Sequence, residues 1–370
     1  GTRPEAIKMA PVILQLKKYP EKIKVEVCCT GQHKIMFDEA FESFDLKADV
    51  FFDVMQSGQS LDILTNKIIN KTSQYFSNDI PDLVLVHGDT TTAMASALSA
   101  FYQKIKIGHV EAGLRTYNIE SPFPEEFNRR AIGLCASYHY APTQNSKDNL
   151  NKESINKQNI IVTGNTVIDS LILTIQKFKT NDSLFNKVKN NLVKLLNFEL
   201  ISKDYILITA HRRENINALK GICLAIRNLA EKNKNIKFVY PVHLNPLIQE
   251  VVYKNLSDIN NIKLTKPLNY LEFSFLMNYC RFIITDSGGI QEEAPAIGKP
   301  VLVIRDNSER PEAIQAGTAK LVSTNKDRII YESQKLIDNN ELVESFSFLN
   351  NPYGDGTAAL KITSHILKII

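Results

Sequence analysis

The run Phe282-Ile283-Ile284-Thr285, followed at once by Asp286-Ser287-Gly288-Gly289 and then by Ile290-Gln291-Glu292-Glu293-Ala294, constrains the fold more than any other stretch of the chain. The first four residues read as a buried strand. Ser287-Gly288-Gly289 reads as a tight turn, and Ile290 to Ile297 as a short helix stopped by Gly298 and Pro300. A helix opened by glycines exposes backbone N–H groups and about half a unit of positive charge, which suits a phosphate without any special side chain. Carboxylates in the first turns are poor company for a phosphate, and one of them fits sugar hydroxyls instead. The plainer alternative is a strand–turn–helix with a capping Ser and dipole-favoured Glu.

The same strand-then-polar-loop pattern recurs along the chain. Pro4 suits a first helical position, and Ala6 to Lys18 has helical spacing. Lys24 to Cys29 alternates like a strand, and helices follow to Phe44 and over Leu61 to Phe76. Strand Asp82 to Val86 ends in His87-Gly88-Asp89, and helix Ala93 to Tyr102 follows. Strand Lys106 to Val110 ends in Glu111-Ala112-Gly113. A loop with Pro124-Glu125-Glu126 then enters a helix carrying Asn128, Arg129 and Arg130. Short strands are expected at Tyr138 to Ala141 and Ile160 to Thr163.

A second series begins with helix Ser183 to Leu196. Its strands are Tyr205 to Ala210, Lys237 to Tyr240, Phe282 to Thr285 and Val301 to Ile304. Strands alternating with helices imply parallel sheets, and two series imply two doubly wound domains. The expected division is 1–166 and 167–351, with 352–370 a C-terminal helix returning to the first domain. A chain of 370 residues is too long for one comfortable core, which agrees with two domains. Gly1-Thr2-Arg3-Pro4 reads as a loop entering a helix, so a strand is expected ahead of Gly1.

Net charge is +4, from 44 basic and 40 acidic residues, with neither sign blocked together. That argues against a nucleic-acid footprint. No apolar run reaches the ~18 residues of a membrane span, and no signal peptide is legible. The five cysteines form no CxxC or paired framework, which points to reduced, buried thiols and the cytoplasm. No histidine pair has metal-ligand spacing, and no GxGxxG follows a strand, so neither a metal nor a nicotinamide cofactor is expected.

Ligands of open parallel sheets sit outside the carboxyl ends of the strands. Arg3, Asp89, Glu111, His211, Ser287 and Arg310 collect at those ends, from both halves, and a cleft between two domains accounts for them. Arg3, Lys8, His211, Arg310 and the glycine turn suit a pyrophosphate. Asp89, Glu111 and Glu125 suit proton transfer. His87 and His109, on apolar strands, read as satisfied core histidines, and Glu126 as part of a solvated helix face.

Taken in order, Gly1-Thr2-Arg3-Pro4-Glu5, His87-Gly88-Asp89, Glu111 to Arg115, Pro124-Glu125-Glu126, Gly164-Asn165-Thr166, His211 to Asn215, Asp286 to Glu293 and Glu309 to Glu312 resemble the bacterial non-hydrolysing UDP-N-acetylglucosamine 2-epimerases. The resemblance covers essentially the whole chain. It implies an α/β fold of GT-B type: two Rossmann-like, doubly wound parallel-sheet domains around a cleft, in a homodimer without metal or NAD. It implies interconversion of UDP-N-acetylglucosamine and UDP-N-acetylmannosamine, supplying bacterial surface polysaccharides. By resemblance, Arg3, Lys8, His211, Ser287, Gly288, Gly289, Glu293 and Arg310 hold UDP, with Glu293 on the ribose and Leu268 and Phe273 by the uracil. Asp89, Glu111 and Glu125 match the catalytic carboxylates, with Arg129 beside them and His211 also in the catalytic set. Gln32 and His33 match a site where a second substrate molecule activates the enzyme. Ile35 in place of a polar residue, and the absence of an arginine at Ser57-Gly58, count against that activation.

The C2 hydrogen of the sugar is weakly acidic, since no carbonyl adjoins it. Expelling UDP from C1 as C2 loses its proton avoids a carbanion and leaves 2-acetamidoglucal. Inversion needs acid/base groups on both faces of C2, or a sugar that turns. Three other readings use the same nucleotide residues: a GT-B glycosyltransferase, a hydrolysing epimerase that releases N-acetylmannosamine, and a non-catalytic sugar-nucleotide sensor.

Overall fold

The computed structural model describes the chain except residues 32–33, 57, 211–217 and 309 and the side chains at 34–36. The elements run α1 (Arg3–Leu16), β1 (Cys28–Cys29), α2 (Lys34–Glu42), β2 (Val50–Phe51), α3 (Leu61–Asn78), β3 (Leu83–His87), α4 (Thr91–Tyr102), β4 (Lys106–Val110), α5 (Glu125–Cys135), β5 (Tyr138–Ala141), α6 (Gln144–Lys152), β6 (Ile160–Val162) and α7 (Thr166–Thr180). They continue with α8 (Asp182–Leu196), β7 (Tyr205–Thr209), α9 (Leu219–Lys232), β8 (Lys237–Pro241), α10 (Pro246–Leu256), β9 (Ile262–Thr265), α11 (Tyr270–Tyr279), β10 (Ile283–Thr285), α12 (Gly288–Glu293), β11 (Val301–Val303), α13 (Pro311–Gln315), β12 (Ala319–Leu321), α14 (Lys326–Asp338), α15 (Asn340–Ser345) and α16 (Ala358–Ile369). The chain divides into two compact units, Gly1–Ser170 with Tyr353–Ile370, and Leu171–Pro352.

In the first unit β3-β4-β5-β6 form a parallel sheet in sequence order, and β1 pairs in parallel with β2. The alternation over Lys24 to Cys29 yields strand pairing only at Cys28–Cys29. A cavity of about 450 Å³ beside this pair is lined by Ile23, Val25 and Val27 and by Leu83, Val84 and Leu85 of the β3 segment. Helix α1 starts as its sequence dictates. Thr2 and Glu5 form a capping box, and Pro4 sits in the first turn.

The tail returns to this unit. Ala359, Ile362 and Ile366 of α16 pack with Val12 and Leu16 of α1 and with Val110 and Tyr140 of the sheet. Asp169 accepts from Ala358 N at 3.3 Å and Ala359 N at 2.8 Å, capping α16 from α7.

In the second unit the order β9-β8-β7-β10-β11-β12 runs third, second, first, fourth, fifth, sixth, with every pair parallel. That is the doubly wound arrangement whose ligands bind where the order reverses, between β7 and β10. Fully buried Ile206, Ile208, Phe238 and Tyr240 anchor its core. Strands β2, β9 and β12 escaped the sequence reading, since each is short and lacks a clear apolar run. No helix among the described residues is long and apolar enough to cross a membrane. All five cysteines are unpaired, but Cys28 is exposed and Cys135 only half-buried, contrary to the expectation that all are buried.

Burial pushes the Asp169 carboxyl up to about 6, against the two N–H groups that favour its charge. A raised folded-state pKa contributes stability that is present below the ordinary value of 3.8 and is lost as pH rises through about 6. Asp169→Asn keeps an acceptor for α16 and removes the titration. Thermal melts should show the Asn variant gaining on the parent as pH rises from about 4 to about 6 and levelling off above, by the order of 3 kcal/mol at most. Parallel melting curves across that range would contradict the raised carboxyl.

Candidate active site

The first unit gathers its polar residues at the carboxyl ends of β3 and β4. Glu111 is the residue directly after β4, and its backbone is left-handed, with φ +64°. This is an uncommon conformation for a residue with a side chain, and it turns the carboxylate toward the loop after β3. Lys8 Nζ, from α1, donates to Glu111 Oε1 at 2.6 Å. Asn165 Nδ2 donates to the same oxygen at 3.0 Å, and His87 Nε2 lies 3.0 Å from Oε2. Gly88 follows with φ +66°, and a Cβ there would come within 3.6 Å of Glu111 Oε2. Burial opposes the charge on Glu111, but Lys8 and His87 outweigh it and hold the carboxyl well below its usual range.

Asp89 lies two residues beyond β3. Arg129 Nη2 pairs with its Oδ2 at 2.7 Å, and Asn128 Nδ2 donates to its carbonyl at 2.9 Å. Burial raises the Asp89 carboxyl from its ordinary value; Arg129 opposes this and the Glu111 charge adds to it. The two carboxyls are therefore displaced in opposite directions, Asp89 upward by burial and Glu111 downward by Lys8 and His87. Glu125 opens α5 one helical turn before Arg129, so both share a helix face. Arg3 is the first residue of α1, the helix that presents Lys8.

Two sequence expectations change here. His87 is no satisfied core histidine, because its ring faces Glu111. The signal was available, since the strand pattern ends at His87, where chemistry collects in parallel sheets. His109 does fit that description: Nε2 contacts Gly88 O at 2.7 Å, and burial pushes it down to about 3. Glu126 is not on a solvated face. It is fully buried, accepts from Thr116 N at 3.0 Å and Tyr117 N at 3.1 Å, and lies 3.5 Å from Arg129 Nη1. It ties the loop after β4 to α5.

In the second unit Asp286-Ser287-Gly288 follows β10 at the point of strand reversal. Asp286 N donates to Thr209 O at 3.1 Å and Ser287 N to Thr285 Oγ1 at 2.9 Å, which sets the exit of the strand. The glycines form no left-handed turn. Gly288 is already helical, with Ser287 as an N-cap whose side chain makes no cap hydrogen bond. The expected helix to Ile297 is two pieces, α12 and a 3-10 turn over Ala294–Ile297 with Pro295 in its first turn. At Gly289 a Cβ would stand 3.3 Å from Glu293 Oε1, so that carboxylate would have to shift by a few tenths of an ångström.

Arg310 follows β11 at the N-cap position of α13; its Nε is paired with buried Glu292, and its backbone N–H donates to Ser308 Oγ at 3.0 Å. Ser308 Oγ in turn donates to Gln291 Oε1 at 2.6 Å. Leu268 and Phe273 follow β9. Since β9 stands three strand spacings from β10, about 14 Å, a ligand touching both must run along the carboxyl edge. His211, Gln32 and His33 lie outside the described residues, as does Glu309. Among the described residues no group of three His, Cys, Asp or Glu could hold a metal ion.

The model of the UDP-N-acetylglucosamine 2-epimerase family matches residues 15–367. The chain belongs to the UDP-N-acetylglucosamine 2-epimerase family. It is 50% identical over 369 residues to a UDP-N-acetylglucosamine 2-epimerase of Campylobacter jejuni, covering 100% of this chain and 96% of that one. It is 48% identical to one of Neisseria meningitidis serogroup A, covering 100% and 98%. The crystal structure of a Neisseria meningitidis UDP-GlcNAc 2-epimerase bound to UDP-GlcNAc superposes with a TM-score of 0.89 at 47% identity, covering 100% of this chain and 98% of that one. The GT-B-like class expected from sequence is thus that of its structural relatives in the epimerase family.

Glu126→Ala removes the acceptor of two backbone N–H groups and a neighbour of Arg129. It should destabilise the chain by about 3 kcal/mol, and Glu126→Gln, which keeps one acceptor, by clearly less. Urea unfolding measures both. Equal midpoints for parent and Ala variant would remove Glu126 from this anchoring role.

Proposed function

We propose that this chain is a non-hydrolysing UDP-N-acetylglucosamine 2-epimerase that interconverts UDP-N-acetylglucosamine and UDP-N-acetylmannosamine. The observation that carries the reading is the pair of carboxylates, Glu111 and Asp89, held 2.6–2.7 Å from their own cations at adjacent strand ends, in a chain that aligns end to end with epimerases of the family. A carboxylate on one face of C2 accepts its proton. The C2–H electron pair becomes the C1=C2 bond, and the C1–O pair leaves with UDP. In the return step C2 takes a proton on its opposite face and a UDP oxygen closes on C1.

The opposite displacements of the two carboxyls support the division of labour that such a step needs. Glu111 stays ionised, and Asp89 is the easier of the two to protonate. Glu125 is the third group in this reading, with Arg129 beside it. Ser287, Gly288, Gly289, Arg310, Arg3 and His211 hold the diphosphate, and their positive charge eases its departure. Glu293 takes the ribose, and Leu268 and Phe273 adjoin the uracil. The same reading takes the enzyme to be a cytoplasmic homodimer that needs no cofactor, and it rests there on the resemblance.

Proton NMR of the protein with UDP-N-acetylglucosamine in heavy water tests the proposal. Loss of the C2 proton signal and growth of the manno isomer, with UDP still attached, is the expected result. Stoichiometric free N-acetylmannosamine would instead identify a hydrolase, and an unchanged spectrum would leave a transferase or a sensor. Glu111→Gln and Glu125→Gln should each stop exchange while calorimetry still detects UDP binding. Loss of UDP binding in both would count against their role in proton transfer.

A further inference from the structure

Glu111 has a third partner with no part in the scheme above. Asn165 is 3% exposed, and its Nδ2 donates to the Glu111 oxygen that also receives Lys8. Its Oδ1 accepts from Val167 N at 3.1 Å. The amide is thus fixed at both ends, with its oxygen on the start of α7 and its nitrogen on the carboxylate.

The backbone of Asn165 is fixed by the tail. Asn165 N donates to Tyr353 O at 2.7 Å, and Tyr353 is buried. Gly164 and Gly354 cross here, with φ of +91° and +117°; a Cβ on Gly354 would stand 3.2 Å from Gly164 Cα. Lys361 Nζ donates to Thr163 O at 3.3 Å, and Asp169 caps α16 one turn further on. The same α16 packs on α1, the helix of Lys8. Both donors to Glu111 Oε1 therefore hang on elements that the tail holds.

We propose that Asn165 is a positioning residue for Glu111, kept in register by the C-terminal tail through Tyr353 and Gly354. The proposal rests on the epimerase reading. Glu111 springs from a left-handed backbone position, so its carboxylate is aimed by its donors. The charged and titratable groups around it are Lys8 from α1, His87 from β3 and Asp89 from the next loop, with Arg129 of α5 on Asp89.

Asn165→Asp isolates the donor, because a carboxylate can still accept from Val167 N but presents like charge to Glu111. With UDP-N-acetylglucosamine as substrate, kcat should fall about tenfold or more while KM changes little. The acid limb of the kcat–pH profile should move up by about one unit, since the pair then resists ionisation. Asn165→Ser, which retains a donor, should recover part of the rate. Gly354→Ala should reproduce the loss of kcat from the tail side, with melting temperatures recorded for all three; if Asn165→Asp does not fold, the Ser and Ala variants carry the test. Parental kcat and pH profile in Asn165→Asp, or a loss confined to KM, would overturn the proposal while leaving the epimerase reading intact. Failure of the parent chain to exchange the C2 proton would overturn both.

Discussion

A buried carboxylate must be ionised and partnered or it is not ionised at all. Glu111 is 9% exposed, and the effective penalty for burying one such charge is several kcal/mol. Lys8, His87 and Asn165 together supply what water would have supplied. Each partner comes from a different place: the first helix, the end of β3 and the residue before α7. The left-handed backbone at Glu111 adds a further cost of about 1–3 kcal/mol that persists only where surroundings over-determine the position. Much of the first unit can be read as that over-determination. The Thr2–Glu5 capping box fixes the start of the helix bearing Lys8, and Gly88 takes the left-handed backbone of the loop after β3.

Arg129 and Asp89 solve the neighbouring problem differently. Asp89 is about a quarter exposed, so water shares its charge with one guanidinium, and burial still wins by raising its carboxyl. The second unit repeats the device with the sign of interest reversed. Glu292 is buried and holds the more exposed Arg310, so here the carboxylate is the support and the cation the group supported. In both units a single ionised side chain is oriented by one buried opposite charge, and the geometry follows from which member sits deeper.

The parallel-sheet architecture was legible because apolar strands followed by polar clusters leave a period that no other class shares. Strands with their own apolar run, such as Lys106–Val110 and Tyr138–Ala141, were placed to the residue. Val50–Phe51 and Ala319–Leu321 were not, since a two- or three-residue strand carries too little pattern and is defined by its neighbour. Asp89 and Glu111 stood out by type and place at strand ends, and Glu125 and Arg129, on helix α5, through the family resemblance. His87 and Glu126 did not, because burial beside a particular carboxylate or under a particular loop depends on distant segments meeting. The glycines at 288 and 289 were read as a turn, whereas Gly288 opens α12; a Cβ at 289 would press on Glu293, which no local pattern encodes.

Charge commitment also explains why the nucleotide in the proposed reaction calls on residues beyond the first unit. Lys8 lies on Glu111 and Arg129 on Asp89, so each of these cations already offsets a carboxylate that proton transfer needs. Turning either toward a diphosphate would strip its carboxylate of support and shift the proton affinities that distinguish the pair. A leaving diphosphate nevertheless requires positive potential. In the proposed reaction the amides at the start of α12 would supply some of it without a titratable group, and Arg310, tied to Glu292 rather than to Glu111 or Asp89, would supply more. On that reading proton transfer and anion stabilisation draw on separate charges, and neither function neutralises the other.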